Sequence, residues 1–103
     1  MDILRPLLMP RPRLNRRIRF FPNATYYKPQ GIPMRHLRVA ELTHEEVEAL
    51  RLKHKKGYDQ LRCAKEMRTS QSTFQRILSS AQKKIGKAIV EGHAIKISTE
   101  SGD

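Results

Sequence analysis

The sequence predicts a mainly α fold: a helix-turn-helix of three or more helices, with short β segments at its N- and C-terminal sides and a basic N-terminal arm. Three observations carry this expectation. Apolar residues recur at helical spacing between Leu42 and Gly92. That stretch is punctuated by residue types that start and stop helices. Outside it, Pro and Arg crowd residues 1–19, while β-branched and aromatic residues gather at 18–28 and 93–98. The chain of 103 residues divides accordingly into a flexible arm (1–19), a single domain (20–97, with helices near 43–56, 59–67 and 70–91) and a frayed tail (98–103).

In the arm, Arg5, Arg11, Arg13, Arg16, Arg17 and Arg19 are opposed only by Asp2, and Pro6, Pro10 and Pro12 work against a helix. Such an arm can lie along phosphates or enter a narrow minor groove. Arg11, Arg13, Arg16 and Arg17 are its candidate phosphate contacts. A solubilising disordered tail is the plainer reading of the same residues. Short extended segments are expected around Ile18–Phe21 and Thr25–Lys28, broken by Pro22-Asn23. Tyr26 and Tyr27 could stack on single-stranded bases, but packing against the helices is the preferred reading. Pro29-Gln-Gly-Ile-Pro33 reads as a turn, with Pro33 opening a short helix through Leu37.

The first main helix starts at Thr43. Thr43 and Glu46 form a capping box, with Leu42 and Val47 as the hydrophobic staple around it. Its acids come first and Lys53, His54, Lys55 and Lys56 last, which suits the helix dipole; Lys53, Lys55 and Lys56 remain candidates for phosphate contact. This helix should end near Gly57. The second begins at the N-cap Asp59 and packs through Leu61, Ala64 and Met67. The third begins at the N-cap Ser70, buries Phe74, Ile77, Leu78, Ala81, Ile85 and Ala88/Ile89, and stops at Gly92.

Counting Ala64 as the fifth residue of a helix-turn-helix, Cys63, Met67, Phe74 and Ile77 fill its apolar positions. The ninth position, where Gly relieves a left-handed backbone, is Arg68, at a cost of about 1 kcal/mol. The tenth, usually a buried aliphatic, is Thr69. The outward face of the third helix holds amides, hydroxyls and cations and no acid. Gln71, Ser72, Gln75 and Arg76 are the candidate base contacts, since Gln can bond adenine and Arg can bond guanine in the major groove. Ser70, Thr73, Lys83 and Lys84 are candidate phosphate contacts. An ordinary antiparallel helical hairpin is the bland reading of the same pattern. After Gly92, His93–Ser98 alternates like a strand and could pair with the N-terminal segments or with a partner chain.

A net charge of +11 favours a polyanionic partner through counterion release. Double-stranded DNA is the expected partner. No membrane partner is expected, since no apolar run approaches the roughly 18 residues of a spanning helix and Arg16-Arg17 has no long apolar region after it. The single Cys63 suits a reducing cytoplasm, and DNA binding would place the chain on the nucleoid. The chain is not expected to be an enzyme, nor to need a cofactor. Its four histidines and one cysteine lack zinc-ligand spacing, and its five glycines form no phosphate-cradling loop.

These residues resemble a small prokaryotic family of predicted DNA-binding proteins of uncharacterised role, whose helix-turn-helix is similar to the fourth region of bacterial sigma factors. The resemblance rests on Met9-Pro-Arg-Pro-Arg13, Thr25-Tyr-Tyr-Lys-Pro-Gln-Gly-Ile-Pro33, Leu42-Thr-His-Glu-Glu-Val-Glu-Ala-Leu-Arg-Leu-Lys53, Ser72-Thr-Phe74, Arg76-Ile-Leu78 and Val90-Glu-Gly92. It implies DNA binding and transcriptional regulation. The sequence departs from the family pattern at Leu61-Arg62-Cys63 and Arg68-Thr69, where acids and Gly-Val are usual. Two other readings stay open. One is an RNA-binding or ribosome-associated basic protein using Tyr26 and Tyr27. The other is an interaction module of the transcription machinery. Operator symmetry favours a homodimer, with His93–Ser98 expected at its interface.

Overall fold

The computed structural model describes residues 25–98. Arg11, Arg13, Arg16 and Arg17 of the arm, the segment Ile18–Phe21 and the tail beyond Ser98 lie outside the described residues. Within them the chain is mainly helical, with three short strands: β1 (Tyr26–Tyr27), a 3-10 turn (Met34–His36), β2 (Val39–Leu42), α1 (His44–Leu50) continuing as a π-helical turn (Arg51–Lys55), α2 (Gln60–Glu66), α3 (Gln71–Glu91) and β3 (Ala94–Ile97).

Helix starts follow the local chemistry. At α1 the Thr43 hydroxyl accepts from the Glu46 N–H (3.1 Å) and the Glu46 carboxylate accepts from the Thr43 N–H (2.9 Å), closing the capping box. Leu42 and Val47 lie in one buried cluster, as a staple requires. Asp59 caps α2 through the Arg62 N–H, and Ser70 caps α3 through the Thr73 N–H. Gly92, in the left-handed region at φ 71°, ends α3.

The end of α1 departs from the single regular helix expected through residue 56. The ladder widens: the Lys56 N–H reaches the Arg51 carbonyl and the Tyr58 N–H reaches that of Leu52. In a regular helix His54 would stand about 140° round the axis from the fully buried Ala49. The wider turn rotates less per residue and brings His54 onto the flank of α3, with its Nε2 3.0 Å from Gln82 Nε2.

One core cluster joins Ala49, Leu52, Cys63, Ala64, Met67, Phe74 and Leu78, and so locks α1, α2 and the start of α3 together. A second joins Leu42, Val47, Ala81 and Ile97 under the sheet. Leu50 packs against both. The buried stripe of α3 ends at Ala88, whereas Ile89 and Val90 are 72% and 85% exposed. The expectation for Ile89 is therefore corrected. The chain turns back at Gly92 over the Ala88 side, where the His93 N–H binds the Ala88 carbonyl, and Ile89 is left one step round the helix.

The sheet order is β1-β3-β2. β3 runs antiparallel to β1 (Tyr26 opposite Lys96) and parallel to β2 (Val39 opposite Ala94, Leu42 opposite Ile97). A parallel pair needs a long crossover, and here the three helices are that crossover. β3 is paired on both sides, with the N-terminal segment Tyr26–Tyr27 on one of them, so it offers no free strand edge for pairing with a partner chain.

Candidate nucleic-acid interface

The core sets which side of α3 faces outward. Phe74, Leu78, Ala81 and Ala88 are buried, which turns Gln71, Ser72, Gln75, Arg76, Ser79, Gln82 and Lys83 to solvent. From Met67 to Val90 the sequence holds Arg68, Arg76, Lys83, Lys84 and Lys87 and no Asp or Glu. This face is held from two sides. The Gln60 side chain donates to the Gln71 carbonyl (3.3 Å), tying α2 to the start of α3. Further along, His54 meets Gln82, so the basic end of α1 adjoins the middle of the same face.

All four candidate base contacts are exposed and make only light local bonds. Gln75 Nε2 donates to Ser79 Oγ (3.0 Å), Arg76 Nη2 to Thr73 Oγ1 (3.4 Å), and the Ser72 and Ser70 hydroxyls are 3.3 Å apart. Exposed bonds of this kind exchange readily with a ligand, because each is worth only about 0.5–1.5 kcal/mol net. The face can therefore offer amides and a guanidinium in a row to base edges.

The candidate phosphate contacts divide. Lys55, Lys56 and Lys83 are exposed and Lys53 is half-buried. Ser70 and Thr73 are engaged with each other: the Ser70 hydroxyl accepts from the Thr73 N–H (3.1 Å) and donates to Thr73 Oγ1 (2.9 Å). Lys84 is turned away. Its ammonium donates to Glu46 Oε1 (3.0 Å) and to the Glu41 carbonyl (2.9 Å). Its charge neutralises a buried carboxylate and does not stand free for phosphate.

Ion pairing also quiets the acids near this surface. Burial opposes ionisation of Glu46, but hydrogen bonds from Ser80, the Thr43 N–H and Lys84 outweigh it and hold the carboxyl below its ordinary range. Glu48, 1% exposed, receives a two-pronged bond from Arg51 (2.9 and 3.0 Å). Arg62 pairs with Glu66 (3.3 Å) and lies 4.1 Å over the Tyr58 ring. Burial pushes the Cys63 thiol up and keeps it an unreactive core group. Among the described residues no three side chains of metal-ligating type lie together, and no helix is long and apolar enough to cross a membrane.

The His54–Gln82 contact and the inward turn of Lys84 were not legible in the sequence. The first depends on the widened turn of α1, which has no local signature. A lysine bound for a buried acid and one bound for solvent share the same composition.

Comparison with known proteins places the chain in a family. The chain is similar to a UPF0251 protein of Moorella thermoacetica, 48% identical over 86% of this chain and 60% of the relative. UPF0251 proteins of Halothermothrix orenii (45% identical, 92% of this chain, 69% of the relative) and Desulforudis audaxviator (49%, 86% and 58%) are similar too. The chain thus spans about three-fifths of the length of the first and third of these relatives. No solved structure gives a significant match. The family profile described as "Protein of unknown function DUF134" matches residues 6–103, and the chain belongs to that family.

Proposed function

We propose that this chain binds double-stranded DNA through a helix-turn-helix similar to the fourth region of sigma factors, and acts in transcriptional regulation. The single observation that supports this reading is the acid-free outer face of α3, exposed at Gln71, Ser72, Gln75 and Arg76 and carried on a helix whose opposite side is core. A rigid helix of 21 residues can enter a major groove, and its amides and guanidinium can read base edges. Lys53, Lys55, Lys56 and Lys83 flank it for the phosphates. Replacing Gln75 or Arg76 with Ala should relax preference at one base position. Equal weakening on every duplex would instead make these residues phosphate contacts.

A second reading, RNA binding, is favoured by one observation. Tyr26 and Tyr27 are 49% and 56% exposed on the outer strand β1, and Lys96 stands opposite Tyr26. Bases could stack there. This reading requires preference for RNA over duplex DNA, and that Tyr26→Ala weaken binding more than Gln75→Ala does.

A further inference from the structure

We propose that Arg68, held in a left-handed backbone in the turn that precedes α3, is a phosphate contact of this interface. The proposal rests on the reading that α3 meets nucleic acid. Arg68 ends α2 in the geometry that favours glycine. Its N–H binds the Lys65 carbonyl and the Thr69 N–H binds that of Ala64, which fixes Arg68 at φ 58°. It is the one residue other than glycine with a positive φ among the described residues. A long side chain there costs stability that glycine would not.

The surroundings say what the side chain is free to do. Arg68 is exposed, and among the described residues no acid pairs with it. Residues 69–75 contain no charge. The two hydroxyls expected to hold phosphate at this end, those of Ser70 and Thr73, are taken up by the cap. A duplex backbone beside the first turns of α3 would need a cation from the connection or from α2. Arg68 is the cation nearest in sequence to the N-cap. Arginine suits the task, since its planar fork matches a phosphate's oxygens. Backbone strain of this kind clusters at binding sites, and here it coincides with an exposed charge.

The test measures salt-dependent binding of the full chain to a short DNA duplex by fluorescence anisotropy, between about 50 and 200 mM salt. Thermal melting of each variant is measured beside it. Arg68→Gln keeps the strain and removes the charge; it should weaken binding about fivefold to tenfold and lower the salt slope by about 0.9. Arg68→Gly should weaken binding as much while raising the melting temperature by about 4–8 °C. Arg68→Lys should retain most of the affinity and the slope. Unchanged affinity and slope in the Gln and Gly variants overturn the proposal, as does a Lys variant that loses slope as fully as Gln. If the unaltered chain binds no duplex, the reading of α3 itself fails and the proposal goes with it.

Discussion

Lys84 Nζ lies 3.0 Å from Glu46 Oε1, and the other oxygen of that carboxylate accepts from Ser80 Oγ at 2.5 Å. One buried acid thus joins the capping box of α1 to the middle of α3, and through the Glu41 carbonyl the same lysine reaches β2. The elements α1, β2 and α3 meet at this group. The lysine side chain is 38% exposed, so solvent screens part of the attraction.

Lys84→Ala should therefore destabilise the fold by about 1–2 kcal/mol, mostly by leaving the Glu46 carboxylate short of a partner. Chemical denaturation checks this. A change within about 0.5 kcal/mol, the scale of an ordinary surface substitution, would mean that Lys84 is free for another role.

The acid limb of stability has a definite sign. The folded Glu46 carboxyl titrates below its unfolded value. Its contribution is therefore present above the ordinary glutamate value of about 4.3 and is lost as pH falls through the lower folded value. Glu46→Gln should flatten this part of the stability profile below about pH 4. An acid limb as steep as before would place the responsible carboxylate elsewhere.

Much of the helical layout was legible because helix starts are local. Thr43 with Glu46, Asp59 and Ser70 each satisfy free N–H groups within three residues, so the chain declares them without reference to the fold. The strained Arg68 was legible for the same reason. What escaped depends on distant partners. The strand β2 is four residues long and exists because β3 lies beside it. The burial of Ala88 rather than Ile89 depends on the return of the chain after Gly92. The π turn of α1, Arg51–Lys55, leaves no mark in the periodicity of apolar residues.

Ile89 offers a check on that last stripe. At 72% exposure, Ile89→Lys should change stability by no more than about 0.5 kcal/mol. Phe74→Ala, at the centre of the first cluster with no exposure, should cost about 3–5 kcal/mol. Equal costs at the two positions, read from denaturant midpoints, would contradict the orientation of α3.

Removing the capping hydroxyl by Thr43→Ala should cost about 1 kcal/mol and lower the melting temperature by about 4–8 °C. Serine at the same position should restore most of it. A serine variant as unstable as alanine would show that the threonine methyl, not the hydroxyl, carries the effect.

The most direct test of the central claim is selection from random duplex DNA beside a matched RNA pool, with the purified chain at physiological salt. Reading of base edges by the outer face of α3 requires an enriched duplex motif, palindromic or tandem, that loses one position of preference in the Gln75→Ala or Arg76→Ala variant. Retention of RNA without a duplex motif, or salt-labile binding to every sequence alike, would contradict it.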